Sequence, residues 1–411
     1  MKRIHSISCM VLLVSLWWTL PIQAAEPIKI GHINSMSGGT GQLCGIPDLT
    51  GVKMAVEEIN QAGGILGRPL KVISRDDKLS PEVGVRQAKD LILNEKVHWI
   101  QGMVSSAVGL AVSAFGKENK VIVIVTNAAS QSLTEEKGHR YIFHTNTNTV
   151  CYARVMANGV VKFWPGLKKV FTLCPDYEYG HQMQKQFMEA YTKLVPDARI
   201  VGELWPKLGT QDFTPYVAKI MGSGCDLLYT ATWGGDMTSF TKTAWPFGLF
   251  KKIKVVGENW GLTDYLSPMF NMEENPEGGL GGSHYPFWLI DNPLSNAFWP
   301  KFKKVAGQNP GACAPMGYAT VFYMKKAIEK AGSLETEKII DAAEGLEFDS
   351  VFGRLKIREC DHQTTLPFWV GIITKDAKAP APPLSIQDII LLNPEECTHT
   401  CSEAMAARQK Q

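Results

Sequence analysis

The chain has 411 residues, 45% of them hydrophobic, and carries 42 basic side chains against 40 acidic ones. That balance gives no net positive field for a polyanion, and no basic run marks a nucleic-acid footprint, so nucleic acid is excluded as an expected partner. The apolar fraction suffices for two ordinary domains with full cores, which makes disulfides optional for folding.

At the N-terminus Lys2 and Arg3 precede the apolar stretch Ile7 to Leu20, and the small residues Ala24 and Ala25 follow. Residues 1–24 read as a secretory signal peptide. Its apolar core is short for a membrane span, and no later run approaches the roughly 20 apolar residues a spanning helix needs. Cys9 lies at the start of the apolar stretch, not at the cut, which argues against a lipid anchor. Removal of Lys2 and Arg3 leaves an exported chain that is formally neutral. Eight cysteines remain in it: Cys44, Cys151, Cys174, Cys225, Cys313, Cys360, Cys397 and Cys401. An oxidising compartment permits disulfides, but their pairing is not legible in the sequence.

From Ile28 onward, short β-rich runs alternate with helical ones, which predicts an α/β fold with largely parallel sheets. The first unit reads IKIGHIN, LKVISRD, HWIQGM and VIVIVT, with helices near 49–61, 81–94 and 107–118 between them. After YIFHTNTN the rhythm restarts with KVFTLC, RIVGELW, CDLLYTA and IKVVGEN, so two similar units stand in tandem. The strand GGLGGSHYPF, three helices and the short strands VFGRLKI and PFWVGII come next. KDAKAPAPPL then reads as a proline-rich linker to a loosely attached tail.

Two motifs invite chemistry and are set aside. Gly39, Gly41 and Gly45 fall one residue off the dinucleotide fingerprint, with Asp76 and Asp77 ending the next strand. An exported protein meets no nucleotide pool, so these glycines are read as permitting a tight turn, not as a phosphate cradle. Cys397, His399 and Cys401 in CTHTC lack a second ligand pair, which favours a local disulfide or a disordered end over a metal. No G-x-S-x-G elbow, H-E-x-x-H pair or phosphate-binding loop occurs, and Cys225, entering an apolar strand, reads as a buried thiol or disulfide.

The segments IKIGHINSMSGGTGQ, GVKMAVEEINQAGGILGRPLKVISRDD, PDYEYGHQM and GTQDFTPYVAKI together resemble the type I periplasmic solute-binding proteins of ABC importers, specifically the leucine/isoleucine/valine-binding group. The resemblance implies a two-lobed Venus-flytrap, each lobe a mostly parallel sheet flanked by helices. It implies a first lobe from 28–147 and 281–349, a second from 148–280 and 350–374, and a linker and tail over 375–411. It further implies a periplasmic, monomeric, non-catalytic receptor without cofactor or metal. Such a receptor closes on a small-molecule solute, a branched-chain or aromatic amino acid or related carboxylate, and delivers it to an ABC permease of the inner membrane. The same family also admits a receptor for an amide, urea or non-amino organic acid, and a sensory protein for a signalling partner is a third reading.

Carried over residue by residue, the resemblance implies that Ser105 and Ser106, the Ala128 backbone and Ser130 hold the solute's carboxylate. Several donors are what a carboxylate leaving water needs. Tyr179 and Trp233 are expected to cover the ligand. Asn259 stands where amino-acid receptors place an acid for the ammonium group, and Glu258 serves if the loop shifts by one residue. Leu43 or Cys44 stands where relatives put an aromatic against the ligand's side chain. A cysteine pair that some relatives carry at RDDKLSP and GMVSSA is absent, so that disulfide is not expected. Trp260, Tyr285 and Trp288 are further candidates for an aromatic pocket, and His32 and His284 either line the cleft or satisfy local hydrogen bonds.

Overall fold

The computed structural model describes residues 26–261, 276–375 and 384–409. The candidate signal peptide lies outside the described residues.

Fourteen strands are described, and two sheets organise the chain. The first takes β1 (Ile28–Asn34), β2 (Leu70–Asp76), β3 (Trp99–Gly102), β4 (Ile122–Val125) and β5 (Ile142–His144), all parallel, in the order β2-β1-β3-β4-β5. Its strands read as near-continuous apolar runs because both faces are covered. One face packs Trp99, Ile122 and Ile124 against the helices Ile46–Gln61, Pro293–Ala306 and Cys313–Ala331. The other packs Ile100, Val123 and Val125 against the helices Pro81–Lys89 and Ser106–Glu118. Each fully buried aliphatic side chain of such a core contributes about 1.5–3 kcal/mol of transfer free energy.

The second sheet contains β6 (Lys169–Leu173), β7 (Arg199–Leu204), β8 (Leu227–Thr230), β9 (Lys254–Gly257), β10 (Leu280–Ser283), β13 (Trp369–Lys375) and β14 (Leu384–Leu391). The order is β14-β13-β10-β9-β8-β6-β7, parallel up to β10, with β13 and β14 added antiparallel. The hairpin of β11 (Glu347–Ser350) and β12 (Gly353–Lys356) packs into the first lobe's core through Phe348 and Leu355. The chain thus crosses between lobes after β5, after β10 and again between β12 and β13. Among the described residues no helix is long and apolar enough to cross a membrane.

The C-terminal segment departs from the expected loose tail. β14 adds a strand to the second sheet, and two disulfides pin the residues beyond it: Cys151–Cys397 reaches the helix Thr149–Phe163, and Cys360–Cys401 reaches the segment beside β5. His399 meets buried Glu135 at 2.9 Å, and Arg408 donates to the carbonyl of Thr134 at 2.8 Å. Neither expectation for CTHTC, a local disulfide or a disordered end, is what forms; Cys397 and Cys401 each find a partner far away in sequence, which spacing alone cannot reveal. A third disulfide joins Cys44 to Cys313, while Cys174 and Cys225 are free and buried.

That third disulfide sits where two helices touch. A Cβ on Gly51 would lie 2.1 Å from the carbonyl oxygen of Ala314, and one on Gly317 would lie 2.7 Å from that of Asp48. Glycine at both positions therefore allows the helices Ile46–Gln61 and Cys313–Ala331 to cross at backbone contact. The crossing fixes the start of Cys313–Ala331 beside the cleft.

Candidate functional site

In a parallel sheet every strand ends on the same side, so the loops after the strands converge. Here both sheets aim those ends at one cavity between the lobes. Val104 and Ser106 follow β3, Asn127 and Ala129 follow β4, and Asn146 follows β5; Tyr177 and Tyr179 follow β6, Trp233 follows β8, Glu258 and Asn259 follow β9, and His284 follows β10. Tyr152 on its helix and Ala312, Cys313 and Met316 at the helix crossing complete the lining. The cavity volume is about 70 Å³. A water needs roughly 10–15 Å³ on the same scale, so the space suits a small organic solute and is too small for a peptide.

On the first-lobe side Ser106 opens the helix Ser106–Glu118, whose first N–H groups have no partner within the helix. Its hydroxyl oxygen accepts the Ser130 N–H at 3.3 Å, which leaves the hydroxyl proton free to donate. Asn127 is held by its amide, donating to Asp48 Oδ1 at 3.0 Å and to Thr126 Oγ1 at 2.7 Å. No side chain of this wall carries a formal charge.

The second-lobe side is aromatic and holds one acid. Glu258 is 1% exposed; its Oε1 accepts from the Tyr179 hydroxyl and from Asn259 Nδ2, whereas Oε2 is buried with no partner among the described residues. Burial pushes the carboxyl up to about 8, so it is protonated at neutral pH in the unliganded protein. His284 is driven the other way by burial, down to about 3, and is neutral. The lining includes no Lys or Arg.

Of the expected site residues, Ser106, Tyr179, Trp233, Glu258 and Asn259 line the cavity. The other five do not. Ser105 is a buried N-cap residue whose side chain makes no capping bond. Ala128 donates its backbone N–H to the Met103 carbonyl at 2.9 Å, so that group has no proton left for a ligand, and Ala129 lines the cavity in its place. Ser130 donates to Glu178 Oε1 at 2.9 Å and thereby ties the first lobe to the second lobe's helix Glu178–Leu194. Leu43 packs against the second lobe's core, and Cys44 is consumed by its disulfide, with Cys313 as the half that faces the cavity.

The glycine-rich stretch is helical from Gly38 and runs into the helix Ile46–Gln61. Thr40 Oγ1 stands 4.0 Å from where a Cβ of Gly234 would be, so this turn abuts the opposite lobe. Trp260 and Tyr285 are core residues, Trp288 is half-buried between cores, and His32 is bound to Asp48 at 2.7 Å, away from the cavity. Asn127, Ala129, Asn146, Tyr152, Tyr177, Ala312, Cys313 and Met316 were not anticipated. Position one to four residues past a predicted parallel strand is the signal that finds Asn127, Ala129, Asn146 and Tyr177; Tyr152 and the three residues of the helix crossing carry no local signal.

Residues 27–378 match the family described as "Periplasmic binding protein". A Leu/Ile/Val-binding protein homolog 4 of Brucella melitensis is 25% identical over 376 residues, covering 87% of this chain and 86% of its own. A crystal structure of a periplasmic binding protein from Burkholderia mallei superposes with a TM-score of 0.83 at 22% identity, covering 92% of this chain and 98% of that one. An ABC-transporter solute-binding protein of Rhodopseudomonas palustris BisB5, solved with 3,4-dihydroxybenzoic acid, gives a TM-score of 0.79 at 25% identity, covering 90% and 99%.

Proposed function

The chain belongs to the periplasmic binding protein family, and from that premise we propose that it is the monomeric solute receptor of an ABC importer, closing on a small α-amino acid in the periplasm and delivering it to a membrane permease. The observation that carries the amino-acid reading is Glu258, a buried carboxyl with one oxygen unpartnered among the described residues, in a cavity whose lining supplies no cation. A ligand ammonium group at 4 Å offers about 4 kcal/mol of attraction at an effective dielectric of 20. That attraction favours the ionised form and draws the proton off Glu258. The ligand's carboxylate turns to the other wall, where the Ser106 hydroxyl and the first turn of its helix donate. Each charge-assisted hydrogen bond there nets about 1.5–3 kcal/mol, and the positive end of the helix adds to them. Since the two ends of the ligand hold opposite lobes, binding favours the closed form, which is what a permease has to distinguish.

A second reading, a receptor for a non-amino aromatic acid, is favoured by Asn259 in place of an acid and by the likeness to a protein solved with 3,4-dihydroxybenzoic acid. Glu258 would then keep its proton and donate it. Titration calorimetry with leucine, valine, threonine, phenylalanine and benzoate, in buffers of different ionisation enthalpy, separates the two. An amino acid releases a proton on binding and gains affinity from pH 6 to 8; an aromatic acid releases none and loses affinity above pH 8. Binding of none of the five would overturn both readings.

A further inference from the structure

We infer that His284 makes the hinge end of the cavity select solutes that donate a hydrogen bond there, and that Tyr152 fixes the imidazole in the tautomer that accepts it. The inference rests on the reading of this cavity as the solute site, and it narrows the solute to one bearing a donor beyond its ammonium group. His284 follows β10, is 6% exposed and lines the cavity. Its ring is held edge-on by Tyr152 and Phe368, with centroids at 5.2 and 5.0 Å.

The proton positions result from counting. Asn146 donates through Nδ2 to the Asn127 carbonyl at 2.7 Å and accepts the Thr147 N–H on Oδ1 at 2.8 Å, so its amide orientation is settled from both ends. An amide oxygen has no proton, and the Tyr152 hydroxyl, 3.1 Å from Oδ1, must donate to it. A phenol has one proton. The contact between that same hydroxyl and His284 Nδ1, also 3.1 Å, then requires Nδ1 to be the donor. A neutral imidazole carries one N–H, so Nε2 is left with a lone pair, and among the described residues it has no protein partner.

An acceptor that a ligand covers without supplying a donor is costly, and a site built to receive a donor discriminates against a ligand that lacks one. The cavity therefore offers acceptors at Glu258 and His284 and donors at Ser106. An amino acid with a side-chain hydroxyl or amide N–H, of the threonine or glutamine type, meets all three; valine or leucine leaves His284 unmatched.

Two measurements test this. Nitrogen-15 NMR of histidine-labelled free protein reads the tautomer directly: protonated Nδ1 with bare Nε2 is expected, and an Nε2–H tautomer overturns the inference with no bearing on whether solutes bind. Calorimetry with threonine against its near-isostere valine is expected to favour threonine about tenfold, the fold-change of one net hydrogen bond. His284→Phe keeps an aromatic ring in the same edge-on place and should bring the ratio near one. Tyr152→Phe, which unlocks the tautomer, should lower the ratio as well. Equal binding of the two by the wild type, or an unchanged preference in His284→Phe with native circular dichroism, overturns the inference and leaves the receptor reading standing. Failure of both amino acids to bind while the tautomer is as expected counts instead against the amino-acid reading.

Discussion

The two walls of the cavity are built by the same device, loops at the ends of parallel strands, yet they differ in chemistry. The first-lobe wall presents small and amide side chains, among them Ser106, Asn127, Ala129 and Asn146, and the start of a helix. The second-lobe wall presents Tyr177, Tyr179, Trp233 and the buried Glu258. A small-residue wall lets backbone and helix N–H groups approach a ligand, which suits an anionic group. An aromatic wall excludes water and lowers the local dielectric, so the acid it encloses keeps its proton until a cation arrives. On the proposed reading this difference divides recognition between the lobes, each taking one end of the solute, so that neither alone has reason to hold it.

The largest expected effect comes from removing the acid. Glu258→Gln should weaken binding of an amino acid by about 2–5 kcal/mol, the cost of truncating a buried charge pair, and should abolish the rise in affinity between pH 6 and 8. The free protein carries the complementary signature. Because the folded carboxyl sits at about 8 against an ordinary 4.5, its contribution to stability is full below pH 4.5 and lost as pH rises through 8. Melting curves across that window should fall in the wild type and flatten in Glu258→Gln. A variant that binds amino acids as well as the wild type would break the division of roles.

Next in size is the covalent support of the first wall. Replacing Cys44 and Cys313 by alanine removes a disulfide that closes a loop across most of the chain, with a sequence separation of 269. The expected loss is about 2–4 kcal/mol in denaturant unfolding. Affinity should fall as well, since Cys313 and Met316 line the cavity.

Ser106→Ala should cost about 1.5 kcal/mol of affinity for a carboxylate ligand and nothing for an uncharged analogue such as an amino-acid amide; equal losses for both would remove the anion-binding role from this wall. The smallest effect is assigned to Ser130→Ala. Ser130 bonds to Glu178 across the lobes, so its loss should weaken every ligand equally by about 0.5–1.5 kcal/mol. A loss confined to carboxylates would restore the direct ligand role that the sequence suggests.

Particular residues show how far the sequence carried. Ser106, Tyr179 and Trp233 were legible because their segments keep the family's pattern and lie just past strands. Glu258 was legible only as an alternative to Asn259, since adjacent residues in an irregular turn point in different directions and the sequence does not say which way each points. Ala128 and Ser130 fall outside the cavity lining for a related reason: being in the right loop does not settle whether a donor is free, and both commit their protons to protein acceptors. Leu43 faced the opposite lobe because the glycine-rich stretch continues as a helix.

What the sequence by itself determined is the alternation of strand and helix, and with it two parallel-rich sheets whose strand-end loops must converge. That outcome depends on local apolar periodicity and on the handedness of strand connections, both properties of short stretches. What only the tertiary structure decided is which atoms in those loops remain free: the cysteine pairings across 269, 246 and 41 residues, the orphaned oxygen of Glu258, and the proton on His284. Each of these depends on partners brought together from distant segments, and hydrogen bonds and disulfides are satisfied by proximity in space, which sequence spacing does not encode.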